Sequence, residues 1–242
     1  MKSFKILFHE DNSPIDPRCI QRFVKAFSKS YREVVREIIK ESCELDEKVF
    51  KFKIAKLMPP FRMTRGGVFH GIKIHENNRP RDPNGVLDHC WKAIGTELLN
   101  LKRDITRNMS GKRSRVLVDF STKLREDMIK RTCKLYEGLL EITVKTDKRG
   151  SQKVSPVGAS KVLFAVLPEI ALPVDNLEWK HVFKTDEYYE ILSKMASETI
   201  AWEKKFQPRK HLEEVDPHPN ITIPAIYNIM AMSVRPLEYA NW

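Results

Sequence analysis

The chain has 242 residues, 41% apolar and 31% charged, with 9 Gly and 14 Pro, a profile that excludes disordered, collagen-like and fibrous classes. Its formal net charge of +11 is uneven: +1 over residues 1–50, +12 over 51–150 and −2 over 151–242. No window approaches the roughly 18 uninterrupted apolar residues of a membrane span. "MKSFKILFHEDNSP" also lacks the apolar core of a secretion signal, so a cytoplasmic protein without membrane contact is expected.

Asp16 before Pro17 reads as an N-cap with proline at the first helical position. Apolar residues then recur at helical spacing from Ile20 through Phe23, Phe27, Tyr31, Val35 and Ile38 to Ile39, predicting one long amphipathic helix. From Val49 the pattern alternates, Phe50, Phe52 and Ile54 against Lys51 and Lys53, and after "MPPFRMTRGG" it does so again at Ile72, Lys73 and Ile74. Two short strands joined by a basic loop fit this, and a helix over the first half fits as well. "HENNRPRDPNG" is a turn-rich exposed loop.

A second long helix is predicted from Val86 through Cys90, Trp91, Ile94 and Leu98 to Ile105, with Gly95 weakening it by about 1 kcal/mol relative to alanine. A third carries Leu117, Phe120, Leu124, Met128, Leu135 and Leu139 and ends near "TDKRGSQK". Further helices start at Thr185 and at Pro224, separated by the proline-rich "FQPRKHLEEVDPHPN". The expected fold is mainly α, a multi-helix domain with room for one small β-hairpin. It forms either a single domain over 1–242, or a basic helical part over 1–150 followed by a second helical part over 151–242.

A localised basic excess is what a phosphate backbone rewards, because neutralised phosphates release their counterions. The loop cations Arg62, Arg65 and Lys73, interleaved with Phe61, Phe69 and His70, suit a nucleic-acid contact. The densest basic stretch, "KRDITRNMSGKRSR", adds Lys102, Arg103, Arg107, Lys112, Arg113 and Arg115. A nucleic acid, DNA first, is therefore the expected partner, and an acidic protein partner is the alternative.

The four cysteines, Cys19, Cys43, Cys90 and Cys133, have no paired spacing and read as small core residues. The histidines lack the spacing of a zinc site, and no phosphate loop or nucleophile elbow is present. No metal and no cofactor are expected.

One stretch carries a candidate chemistry. In "SPVGASKVLFAVLPEIALPVDNLEW", Pro156, Val157 and Gly158 read as a compact turn, and a helix from Ala159 would present unpaired N–H groups, Ser160 and Lys161 at its start. "VSPVGASKV" and "LPVDNLEW" resemble the hairpin and the following landmark of the helix-hairpin-helix DNA glycosylases, nearest their 8-oxoguanine branch. The resemblance covers about residues 153–183. It implies a helix-hairpin-helix motif, Gly158 and Ser160 at the DNA backbone, Lys161 as the amine that attacks the sugar, and Asp175 as the carboxylate assisting base departure. A lysine does such chemistry when burial and a positive helix end disfavour its ammonium.

The same residues also read as architecture: a buried helix ended before Pro168, an apolar connector, and Asp175 as the N-cap of a helix through Trp179 to Phe183. Three functional classes thus stand open: a glycosylase or lyase, a DNA-binding module without catalysis, and a helical protein-interaction component.

Overall fold

Residue types at the first helix start act as expected. A computed structural model describes residues 4–40, 44–75, 79–109, 111–146, 150–206, 210–216 and 221–234. In it α1 spans Pro17–Ala26, and the Asp16 carboxylate accepts the Arg18 N–H at 2.7 Å. The predicted single helix through Ile39 is broken at Phe27, whose ψ of 156° ends α1, and α2 follows over Lys29–Lys40. The break lets each short helix bury its own stripe, Ile20 and Val24 in α1 and Tyr31, Val35 and Ile38 in α2.

Residues 49–54 form no strand. They lie in α3, Glu47–Leu57, started by Asp46, whose carboxylate accepts the Val49 N–H at 2.7 Å. The alternation misled because Lys53 is not a surface residue: it is buried, and its Nζ donates to the Ile38 carbonyl at 2.9 Å. The second half of that pattern is a strand of two residues, β1 (Lys73–Ile74), paired antiparallel with β2 (Pro80–Arg81) inside the presumed exposed loop.

The second long helix is α4, Val86–Asn108, with Val86, Leu87, Cys90, Ile94, Leu98, Leu101 and Ile105 buried. Gly95 has a packing reason: a Cβ there would stand 2.8 Å from the Trp91 ring one turn back. The third predicted helix starts late. A short α5 (Val116–Asp119) stops at Phe120, and α6 (Thr122–Leu140) restarts on Ser121, whose Oγ accepts the Leu124 N–H at 3.4 Å. Where the sequence showed only a helix end, β3 (Thr143–Thr146) and β4 (Gly150–Lys153) form a hairpin.

At α7, Pro156–Val166, the expected turn is absent. Ser155 is the N-cap and Pro156 the first helical residue, so Pro156, Val157 and Gly158 are the helix's own first turn. The element before it is strand β4, where a helix-hairpin-helix would need a helix. Helix α7 is buried on all sides, Ser160 and Lys161 included, and packs against α2, α3 and α6. A short turn and the π-helical segment Glu178–Phe183 follow, then α8 (Tyr188–Phe206) and α9 (Ile223–Ser233), the latter capped by Thr222 with Pro224 in its first turn.

The fold of the described residues is mainly α-helical, with only the two small hairpins β1–β2 and β3–β4. One apolar cluster runs from Ile6 to Ala231 and joins residues of both halves. No described helix is long and apolar enough to cross a membrane. Cys90 and Cys133 are buried as expected and burial pushes both thiols up, Cys133 to about 12, whereas Cys19 is exposed. Cys43, His218 and Ser110 lie outside the described residues.

Candidate nucleic-acid interface

The cations of the densest basic stretch divide sharply. Arg113 donates to Glu169 Oε1 through Nε at 3.1 Å and Nη2 at 2.8 Å, and Lys102 Nζ sits 3.7 Å from the same oxygen. Glu169, in the turn after α7, is fully buried. Burial alone would push its carboxyl up, but Lys102 and Arg113 outweigh it and hold the carboxyl below its usual range. Lys102 moves down instead of up, because its own burial and the charge of Arg113 exceed the attraction of Glu169. The closer, two-pronged Arg113 contact is the stronger half of this triad.

Arg115 is tied in the same way. Its guanidinium reaches Glu203 at 2.9 and 3.1 Å, Glu213 at 2.8 Å and Asp119 at 3.1 Å. Burial works against its charge, yet Glu203, Glu213 and Asp119 more than offset it and raise its pKa. Lys102, Arg113 and Arg115 therefore bind this protein's own acidic C-terminal part rather than standing as backbone contacts on its surface. Arg103, Arg107 and Lys112 are exposed. Around Arg103 and Arg107, however, a shallow concavity also holds Glu97, Asp104 and Arg131, and Arg131 pairs with Glu97 at 2.8 Å and Asp104 at 2.7 Å.

The remaining cations meet elsewhere. Among the described residues, a cleft of about 500 Å³ is lined by Arg65, Gly66, Gly67, His70, Gly71, Lys73, Arg81, Pro83, Asn84, Thr146 and Gln152, with no carboxylate in that set. Three segments build it: the loop after α3, the β1–β2 hairpin with the turn into α4, and Thr146 and Gln152 on strands β3 and β4. Pro59 and Pro60 end α3, Arg62 takes a left-handed φ of 57°, and the Gly71 N–H donates to the Thr64 carbonyl at 3.1 Å, closing the loop on itself. Val68, Phe69 and Ile72 anchor it in the core. Asn84 Nδ2, donating to the Val68 carbonyl at 2.9 Å, ties it to the start of α4.

Within the cleft, Lys73 and Arg81 are direct cross-strand partners. Like charges directly opposite each other on a hairpin repel. Among the described residues the side chains of Arg65, His70, Lys73 and Arg81 form no hydrogen bond or ion pair, so nothing in that set offsets the repulsion. An anion in the cleft would.

Residues around α7 are arranged differently. Ser160 is fully buried; its Oγ donates toward the Val157 carbonyl (3.0 Å) and the Val174 carbonyl (3.2 Å) and accepts the Val174 N–H at 3.0 Å. It thereby pins the connector onto the helix and exposes nothing to a phosphate. The Gly158 N–H is taken by Ser155 Oγ at 3.1 Å, and a Cβ on Gly158 would lie 2.6 Å from the Phe69 ring. The close approach of the Phe69 ring gives glycine a packing reason there.

Lys161 is 4% exposed. Its Nζ stands 4.8 Å from the Phe61 ring centroid, over the ring face, and 3.8 Å from Met63 Sδ. The Phe61 ring meets Tyr31 edge-on at 5.3 Å, and the Tyr31 hydroxyl donates to Asn228 Oδ1 at 3.1 Å. Asn228 Nδ2 donates in turn to the Pro173 carbonyl at 2.8 Å and to Glu178 Oε1 at 3.2 Å. Asp175, half-buried, donates its N–H to Glu178 Oε2 at 2.8 Å, and its carbonyl accepts the Trp179 N–H at 3.0 Å. Burial, with the charges of Glu178 and Asp175, drives the Tyr31 hydroxyl far above its ordinary pKa. Lys161 and Asp175 thus border one buried cluster centred on Tyr31, and Asp175 also starts the helical turn that the architectural reading assigned to it.

No family model, curated protein or solved structure matches the chain. Among the described residues no group of three or more His, Cys, Asp and Glu is placed to hold a metal ion. Arg81 was missed as a site residue because it lies in a turn-rich stretch. The signal was its distance from Lys73 across "HENNRPR", a span that a short hairpin closes.

Proposed function

We propose that the protein binds nucleic acid by its phosphate backbone in the cleft lined by Arg65, His70, Lys73 and Arg81. One observation carries this reading: these side chains face a single cavity lined, among the described residues, by no carboxylate, whereas Lys102, Arg113 and Arg115 are matched by buried acids. An uncompensated basic concavity raises the local concentration of a polyanion and gains from counterion release. DNA and RNA strands titrated against salt test it. Replacing Arg65, Lys73 and Arg81 by glutamine lowers affinity for all sequences and reduces the slope of log affinity against log salt by about 1 per lost phosphate contact. An unchanged slope rejects the cleft as the binding surface.

Binding without catalysis is the better supported form. A second reading, cleavage at abasic sites by Lys161 with Asp175 assisting, has one observation in its favour: both border the Tyr31 cluster, where the lysine is withdrawn from water. Its near-complete burial means that a sugar reaches the amine only after Phe61 and Met63 move. Borohydride trapping on abasic DNA decides the matter: a covalent adduct lost in Lys161→Met supports the lyase, and no adduct removes it.

A further inference from the structure

We infer that the basic cleft takes a nucleotide-sized phosphomonoester, and so reads the phosphorylated end of a strand rather than its interior; this rests on the nucleic-acid reading above. Charge is the first reason. Arg65, Lys73 and Arg81 bring three fixed positive charges to one cavity with no carboxylate among the described residues of its lining. An internal phosphodiester carries a single negative charge, whereas a terminal phosphomonoester carries about −1.5 to −2 near neutral pH. Together with the next diester it nearly matches the site.

Shape is the second reason. A volume of about 500 Å³ falls within the range of roughly 300–1,000 Å³ typical of small-molecule sites. Its lining comes from three separate segments, the loop after α3, the β1–β2 hairpin and Thr146 with Gln152 of β3–β4, and a cavity of this size suits one terminal nucleotide.

The lining also suits what is attached to the phosphate. At Gly66 and Gly67 a Cβ would meet nothing within 4 Å, so bare backbone faces open space there, where a flat ring or a ribose can lie. Asn84 uses its Nδ2 on the Val68 carbonyl, which leaves its Oδ1 as an acceptor in a lining that also includes Gln152. The Lys73–Arg81 pair, set opposite each other on the hairpin, is the expected seat of the phosphate.

Fluorescence anisotropy on the full chain tests this with one short single strand bearing a 5′-phosphate, a 3′-phosphate or hydroxyl ends, and with a nucleoside monophosphate and inorganic phosphate as competitors. The blocking variant is Gly66→Val. Its φ of −172° is extended backbone open to any residue, so the added side chain fills the cleft without changing its charge.

A phosphorylated end should bind about tenfold more tightly than a hydroxyl end, the worth of one additional charge-assisted contact set. The preference should vanish in Gly66→Val, and the monophosphate should compete better than inorganic phosphate. Equal affinity for all three strands, with salt-dependent binding intact, overturns end reading and leaves backbone binding standing. Binding of the monophosphate alone, lost in Gly66→Val, keeps the phosphomonoester site and overturns strand binding. No binding of strand, monophosphate or phosphate overturns both.

Discussion

Two basic regions of this protein have nearly the same composition and opposite physical roles. Around Glu169, Glu203 and Glu213, the cations Lys102, Arg113 and Arg115 are drawn inward and bonded to carboxylates of the C-terminal part. Around the cleft, Arg65, Lys73 and Arg81 face a cavity whose lining, among the described residues, holds no acid. Net charge along the chain does not separate these cases, because a guanidinium that closes a fold and one that meets a phosphate are the same residue. The acid placed opposite it makes the difference, and here that acid comes from more than fifty residues away.

The contrast can be broken at its strongest point first. Arg115→Ala should lower unfolding free energy by about 3–5 kcal/mol, since it strands the buried Glu203 and the largely buried Glu213. Denaturant unfolding measures the loss, and nucleic-acid affinity of the folded fraction should stay unchanged. If affinity falls in parallel with stability-independent loss of salt dependence, Arg115 belongs to the interface and the division made above is wrong.

Acid should weaken the same bracket. Glu169 and Glu203 have pKa values lowered in the folded state: burial opposes this, and the Arg113, Lys102 and Arg115 charges prevail. A lowered folded value means stability fully present above the unfolded value, about 4.3 for glutamate, and lost as pH falls through the folded values. Urea midpoints measured from pH 7 to pH 3 should therefore drop below about pH 4.3, and drop less steeply in Arg113→Ala.

Gly158→Ala comes next in size. The new Cβ meets Phe69 at 2.6 Å, and overpacking of this kind costs about 1–3 kcal/mol. Because Phe69 anchors the cleft loop, affinity for nucleic acid should fall along with the melting temperature. Ser155→Ala, which removes the cap on the Gly158 N–H, should cost about 1 kcal/mol and leave the cleft alone. Smallest of all in stability is replacement of Arg65 or Lys73 by glutamine. The melting temperature should hold or rise slightly as the hairpin repulsion is relieved, while binding weakens.

Local chemistry was legible where a residue type acts on its own neighbours. Asp16 and Pro17 begin α1, and the apolar stripe of α4 was readable along its whole length. Lys53 shows where this fails: alternation suggested a surface lysine on a strand, but a carbonyl on α2 accepts its ammonium in the interior. Of the candidate site, Arg65 and Lys73 were legible as cations among rings and glycines. Arg81 was not, because it joins them only through hairpin register. Ser160 and Gly158 looked like phosphate contacts for the converse reason: a helix start offers N–H groups on paper, and only packing shows that Val174 and Phe69 already occupy the space.

The sequence by itself determined a mainly helical protein with a basic centre, the starts of its principal helices and the residues able to form its core. These follow from spacing and capping, which act over a few residues. The tertiary structure alone decided which cations are used up inside and which remain to meet a ligand, and it set Lys161 over the Phe61 ring and Asp175 within the electrostatic reach of Tyr31, at the border of one buried cluster. Those outcomes depend on charges and rings brought together from distant parts of the chain, where the energy of a buried contact depends on its neighbours and not on its order in sequence.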